Sequence, residues 1–462
     1  MMRVFRVAVP TSIFVLLVSE FLLLAFCYVV AAFLVLPVDP TVFLVYDWGL
    51  ERILAVIVSI LIGLHFMDLY SEVRTVSKVG LVLEIGQAIG VAFLVQAFLA
   101  YLNEGWMLPR WVMMWGSALA LVLLAAWRLA YGVMFRHALG AQRVLFVGLN
   151  PVVQEIAGYL ARHPEAAYNL GYLDDAAEPG TLVHAAKVLG PVGALRSVVA
   201  VTRPDRIVVG MTERRDRMPL QELLDLRFSG IVIEEAGAAY ETACGRISTK
   251  VVRPAQLIFS GEMGPTHSSL LVHSTYAPAL ALGGMVLTLP LMLAAALAIR
   301  LTSRGPVLYR QTRVGLKGVP FTLYKFRSMQ DGAEAATGAV WAAKDDARVT
   351  PVGRWLRRLR IDELPQLWNV VRGEMAVVGP RPERPEFVQT LSEQIPYYRQ
   401  RHCVPPGITG WAQINHKYGD TVEDAIAKLE YDLYYIKHIS LSLDLYIIFQ
   451  TLKIALRWRG AQ

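Results

Sequence analysis

Cysteine is scarce. The chain has three in 462 residues, Cys27, Cys244 and Cys403. They lie far apart and form no CxxC pair, which excludes a disulfide framework. All three are expected as plain buried thiols. Charge is also sparse: 18% of residues are charged, against about 25% in an ordinary soluble protein. His402, His416 and His438 show no metal-ligand spacing and read as surface or packing residues. There is no internal repeat, no low-complexity tract and no nucleic-acid motif. The net charge of +7 therefore points to anionic lipid or a phosphorylated substrate, and nucleic acid is not expected as a partner.

What the chain has in excess is apolar length. Four stretches reach the roughly 20 residues of a membrane span, at about 11–36, 51–70, 81–102 and 111–135. Arg3 and Arg6 precede the first, Arg74 and Lys78 lie between the second and third, and Arg136, His137 and Arg143 follow the fourth. The other two connections carry Asp39, Asp47 and Glu104. This asymmetry places both ends of the four-helix transmembrane domain, residues 1–138, in the cytoplasm. Glu20 and Arg128 read as isolated charges within their spans, so no intramembrane charge cluster supports a transporter.

Residues 139–260 read as an α/β domain of Rossmann type on the cytoplasmic side. Val144 to Gly148, Arg206 to Gly210 and Gly230 to Ile233 read as strands, and Pro151 to Arg162 and Pro219 to Arg227 as helices. The turn Gly148-Leu149-Asn150 offers one glycine where a dinucleotide site needs three. A regulatory nucleotide and a purely structural or assembly role both stay open. A homodimer is the expectation if assembly is its task.

A second apolar stretch, about 276–303, contains Pro290 near its middle, where proline breaks the helical ladder. A fifth full crossing would put the basic C-terminal segment outside the cell. A re-entrant helix that enters and leaves on one face avoids this. Beyond it, Arg354, Arg357 and Arg358 share one face of a short helix whose other face carries Leu356 and Leu359. Leu441 to Leu456 reads as an apolar helix interrupted by Asp444, Gln450 and Lys453. Both helices fit a membrane interface, as do Trp411 and Tyr397-Tyr398.

Asp362 and Glu363 concentrate the chemistry. Asp362 reads as a helix N-cap, with Pro365 in the first turn. A cap alone would need little positive charge, yet Arg357, Arg358, Arg360, Arg372 and Arg381 crowd the region. A carboxylate can attack phosphorus without a general base, because it is ionised near neutral pH. An adjacent acid can help hold Mg²⁺ on a diphosphate, and phosphoryl transfer depends mainly on positioning and charge neutralisation.

The segments Gly305-Pro306-Val307-Leu308-Tyr309-Arg310-Gln311-Thr312-Arg313-Val314-Gly315, Lys325-Phe326-Arg327-Ser328-Met329, Asp362-Glu363-Leu364-Pro365-Gln366-Leu367, Gly379-Pro380-Arg381-Pro382-Glu383 and Pro406-Gly407-Ile408-Thr409-Gly410-Trp411 carry a resemblance. In order and spacing, about residues 270–460 resemble the bacterial sugar transferases, the monotopic polyprenyl-phosphate phosphoglycosyl transferases. The rest resembles the larger members that initiate exopolysaccharide, capsule or O-antigen synthesis. The resemblance implies a mostly α-helical monotopic catalytic domain over 270–462, on the cytoplasmic face of the bacterial inner membrane. It implies transfer of sugar 1-phosphate from a nucleoside diphosphate sugar, usually a UDP-sugar, to undecaprenyl phosphate. It assigns Asp362 as nucleophile and Glu363 as the Mg²⁺-assisting acid, and it places the cationic Lys325, Arg327 and Arg381 at the active site as phosphate-binding groups. Arg360, beside the dyad, is grouped with them as phosphate-binding. The family's re-entrant break maps to Pro290. Members often carry Ser before that proline, where this chain has Leu289.

Overall fold

In the computed structural model the described residues are 2–4, 7–9, 11–37, 39–67, 69–70, 78–138, 142–163, 167–211, 218–252, 264–265, 267–333, 348–416, 419 and 421–456. Arg6 and Arg74, used above to orient the spans, and the boundary expected near residue 260 lie outside them.

Four long apolar helices occupy the N-terminal region: Thr11–Val35, Gly49–Phe66, Lys78–Leu102 and Arg110–Ala138. Each is long and apolar enough to cross a membrane. They share one core in which Leu24, Cys27, Tyr28, Ile57, Ile85 and Leu124 are buried. Their outward faces stay apolar, with Leu22, Leu34, Leu83 and Val122 exposed, as lipid contact requires. Polar groups inside find partners: the Tyr28 and Ser117 hydroxyls lie 2.8 Å apart.

Glu20 and Arg128 are not isolated, contrary to the sequence reading. They form an ion pair with both side chains buried, and an Arg128 NH2 donates to Glu20 Oε2 at 3.0 Å. Arg128 also donates to the Leu69 carbonyl at 3.0 Å, and Tyr70 donates to Glu20. The partners stand 108 residues apart in sequence, so helix packing alone brings them together.

The middle region holds a six-stranded sheet in the order Leu182–Val183, Ala186–Gly190, Ala167–Leu173, Gln142–Val147, Arg206–Val209, Val232–Glu235. All neighbours are parallel except the first pair. Helices Pro151–Arg162 and Ala236–Cys244 bury one face, and Leu195–Thr202 and Leu220–Phe228 pack with the other. At the switch point Gly148 turns with φ +88°. The groups that could hold a phosphate there are already engaged. The Leu149 amide donates to Asp174 Oδ2 at 2.7 Å. Asn150 caps the following helix through the Val153 amide and donates to the Gly210 carbonyl at 2.6 Å.

This region is bolted to the helix Val422–His438. Tyr240 donates to Glu430 at 3.1 Å, the Thr249 amide to Glu430 at 2.9 Å, and Lys437 to Glu241 at 2.9 Å. Trp411 does not lie in an interface belt. It is buried, stacks on Tyr434, and donates its indole N–H to the Gly245 carbonyl at 2.8 Å. Tyr398 is likewise buried and hydrogen-bonded to Arg401. Of the cysteines only Cys27 is buried; Cys244 is half-buried and Cys403 exposed, because Cys403 ends a surface turn, Tyr398–Cys403.

The second apolar stretch is one helix, His267–Thr302, running through Pro278 and Pro290. The expected helix-break-helix is absent at the level of secondary structure. A proline removes one backbone bond and bends a helix without having to end it. Both ends rest on the C-terminal region. Ala277 and Ala281 pack with Leu323 and Val370, and Ala295 and Ile299 with Phe326 and Leu356. The middle, including Val286, Leu287, Leu291 and Leu293, is exposed. The helix Leu441–Leu456 packs inward through Leu443 and Ile447, and its Asp444 and Lys453 are buried. Near its end Phe449 meets Phe66 edge-on at 4.9 Å, and Gln450 hydrogen-bonds His65 at 3.1 Å.

Candidate active site

Three pieces of backbone assemble the site. The hairpin Leu308–Val314 and Pro320–Phe326 carries Lys325. A short 3₁₀ turn, Ile361–Glu363, carries the two acids. The loop after strand Ala376–Val378, which pairs in parallel with Gly407–Thr409, carries Arg381. Asn369 ties the first two together. Its side-chain amide donates to the Thr322 carbonyl at 2.7 Å and its Oδ1 accepts from the Tyr324 amide at 3.1 Å.

The expected N-cap role of Asp362 is not observed. Arg360 sits at the start of the 3₁₀ turn in the left-handed region (φ 54°), and the α-helix begins later, at Gln366, with Pro365 before it. The left-handed residue folds the chain back sharply after helix Pro351–Arg358. Backbone strain of this kind persists only where surrounding contacts over-determine it. Here Arg360 donates to Glu363 Oε2 at 3.2 Å.

Glu363 collects the basic groups. Its Oε1 accepts from Arg381 at 2.7 Å and from Lys325 at 3.2 Å. The residue is 8% exposed. Burial pushes its carboxyl up, but Arg381, Lys325 and Arg360 together outweigh burial and hold it well below the usual range. Asp362 is equally buried, at 8%, yet among the described residues no hydrogen bond or ion pair ends on it. Burial, and then the neighbouring Glu363 charge, raise its carboxyl to about 6 against the attraction of Lys325, Arg357 and Arg381. The dyad is thus split by environment into a locked anion and an unpartnered carboxylate (at neutral pH still mostly ionised).

Lys325, Arg360 and Arg381 converge on the dyad as the sequence reading expects. Arg327 does not. It is buried, and its guanidinium donates to the Arg304 carbonyl at 2.7 Å and to the Ser303 carbonyl and hydroxyl at 3.1 and 2.7 Å. It therefore seats the end of the long apolar helix. Pro290 lies in that helix, away from the dyad contacts. Arg357 was read only as part of the arginine cluster. It stands near enough for its charge to lower Asp362, and its Nε donates to Ser328 Oγ at 2.8 Å. The close approach depends on Gly353, where an added Cβ would lie 1.9 Å from the Ser328 carbonyl oxygen.

Residues 270–458 match the family model described as bacterial sugar transferase. Over 368 residues the chain is 32% identical to the UDP-glucose:undecaprenyl-phosphate glucose-1-phosphate transferase of Xanthomonas campestris pv. campestris, covering 74% of this chain and 72% of that one. The chain belongs to the bacterial sugar transferase family. Two further relatives match over a shorter part of the chain. The UDP-N-acetylgalactosamine-undecaprenyl-phosphate N-acetylgalactosaminephosphotransferase of Aeromonas hydrophila is 50% identical over 173 residues, 37% of this chain and 41% of the relative. The undecaprenyl-phosphate glucose phosphotransferase of Komagataeibacter xylinus is 49% identical over 177 residues, 37% of this chain and 33% of the relative. The chain thus spans less than half the length of these two relatives. The dyad and all the basic residues around it lie inside the segment matched by the bacterial sugar transferase model.

Proposed function

We propose that the chain transfers a sugar 1-phosphate from a UDP-sugar to undecaprenyl phosphate through a covalent phosphosugar on Asp362. The observation that carries this reading is the pairing of an unpartnered buried carboxylate with a neighbour, Glu363, that gathers Lys325, Arg360 and Arg381. An Asp362 oxygen forms a bond to the phosphorus that bears the sugar. The bond from that phosphorus to UMP breaks, and UMP leaves with the electron pair. A phosphate oxygen of the lipid then attacks the same phosphorus, and Asp362 leaves as carboxylate. No net proton transfer is required. The names of the relatives support both substrates.

Four cationic side chains, Lys325, Arg357, Arg360 and Arg381, act on two carboxylates. That balance disfavours a bare divalent cation, and among the described residues no cluster of three His, Cys, Asp or Glu could hold one. It suits a Mg²⁺ that arrives with a diphosphate, since Mg²⁺ binds through one or two carboxylates plus substrate phosphates. Glu363 would hold it and the ion would neutralise the diphosphate. Chelation by EDTA should then stop UMP release and added Mg²⁺ restore it; activity that survives EDTA rejects the metal.

The four N-terminal helices would anchor the chain in the bacterial inner membrane. The long helix through Pro290 would enter and leave on the cytoplasmic face, a reading supported by the packing of both its ends on one body. A thiol placed at Gln330 should be labelled only from the cytoplasm; labelling from the periplasm would mean a full crossing. The reaction is tested with purified chain, Mg²⁺, undecaprenyl phosphate and a panel of UDP-sugars. UMP release by the wild type and its loss in Asp362→Asn are expected. No release from any sugar, or full activity in the variant, overturns the reading.

A further inference from the structure

The loop that brings Arg381 to Glu363 is flanked by Pro380 and Pro382. A proline fixes its own φ, biases the residue before it to extended backbone, and has no N–H to donate. Such a loop is held through its carbonyls, and four successive ones are taken. The Pro380 carbonyl accepts from the Gly407 amide at 2.9 Å, and the Glu383 carbonyl from the Val314 amide at 2.9 Å. Between them the Pro382 carbonyl accepts from Arg313 at 2.9 Å, and the Arg381 carbonyl from Arg401 at 3.1 Å. The outer two donors are main-chain groups. The inner two are guanidinium groups, so they depend on the side chain at each position.

Arg401 is the donor on Arg381 itself. It is 5% exposed, and its planar fork divides among three acceptors. Besides the Arg381 carbonyl these are the Tyr398 hydroxyl at 2.7 Å and Asp432 Oδ2 at 2.8 Å. Asp432 is 2% exposed and stands on helix Val422–His438. Desolvation largely offsets the attraction within a buried ion pair, and an apolar pair of similar volume often serves a fold as well. Stability alone is thus a weak reason for this pair, and geometry is a better one. Arg401 ties the Arg381 main chain to a helix, while the Arg381 side chain donates to Glu363 Oε1 at 2.7 Å.

We propose that Arg401, anchored by Asp432, is a positioning residue that sets Arg381 against the Asp362–Glu363 dyad by holding its carbonyl. The inference rests on the reaction proposed above. Arg401 touches neither acid of the dyad in any hydrogen bond among the described residues, and acts through Arg381.

The test measures UMP release by the full chain from a UDP-sugar with undecaprenyl phosphate, together with thermal midpoints. Arg401→Met alone would strand the Asp432 charge and destabilise the fold. The pair is therefore replaced together, Arg401→Met with Asp432→Leu, and Asp432→Asn serves as a milder second variant. The pair variant should keep a midpoint near the wild type and lose about 10–10²-fold in kcat, as a misplacement of about 1 Å does, with KM little changed. Asp432→Asn should show a smaller loss of the same kind. In an Arg381→Ala background both changes should cost nothing more, because no guanidinium is left to position. A wild-type kcat in the pair variant overturns the proposal. So does a loss that multiplies with that of Arg381→Ala, or one that tracks a lowered midpoint in both variants, since each marks a structural role. Wild-type UMP release matched by Arg381→Ala refutes the positioning alone. A wild type that releases no UMP under any condition refutes the reaction itself, and the role of Arg401 with it.

Discussion

Replacing Asp362 by Asn should abolish activity and at the same time stabilise the protein. The carboxyl is raised from 3.8 to about 6, first by burial and then by the adjacent Glu363 charge. At about 1.4 kcal/mol per pH unit, keeping it ionised costs the fold about 3 kcal/mol. The sign follows from linkage. Because the folded value is the higher one, folding favours the protonated form. Below about pH 4 the group is protonated in both states and there is no penalty. The penalty grows as pH rises and is full above about pH 6. Asn carries no charge at any pH. The variant should therefore exceed the wild type by about 1–3 kcal/mol at pH 7.5, the lower figure allowing for an amide left without partners. The gain should shrink by about 1.4 kcal/mol by pH 5. Denaturant unfolding in detergent, followed by tryptophan fluorescence, measures both. No gain at pH 7.5, or a gain that is the same at both pH values, would refute the claim that Asp362 is held charged in a dry and unpartnered place.

The acid limb of the pH profile for UMP release should fall near pH 6 and move in opposite directions in two variants. Arg357→Gln removes an attraction and should move it up, Glu363→Gln removes a repulsion and should move it down, and a common direction would contradict the electrostatic account. Arg381→Ala should cut the rate by about 10²-fold or more with the fold intact, while Arg327→Ala should lower the thermal midpoint, since it frees the seat at Ser303 and Arg304; the reverse pattern would reassign both. Glu20→Gln or Arg128→Met alone should destabilise the helical region by about 3–5 kcal/mol, and the double change should recover much of it. Single variants as stable as the wild type in thermal scans would show that the buried pair is dispensable.

Sequence carried a large part of this. The four N-terminal helices were legible because length and hydropathy are local properties, and the observed ends differ from the expected ones by a few residues. The acids, Arg360 and Arg381 were legible as charges crowded within a short stretch of sequence, and Lys325 through the resemblance that its motif carries. The strand Ala167–Leu173 was missed, since its polar Asn169 and its Gly171 interrupt any hydrophobic run. Contacts between distant positions were invisible for a different reason. Nothing near Glu20 announces Arg128, and nothing in Lys325-Phe326-Arg327 says that neighbouring cations serve different masters, one the dyad and the other a helix end. Trp411 misled because an aromatic side chain that packs between domains has the same composition signature as one at a lipid surface.

The contact of Phe449 and Gln450 with Phe66 and His65 closes the chain on itself. The last helix touches the second apolar helix directly, so the two regions are joined twice, once through the covalent path across the middle sheet and once by this clasp. A single tether would let the catalytic body swing or lift. The clasp seen among the described residues braces the catalytic body against the Gly49–Phe66 helix, so that motion of one must be felt by the other.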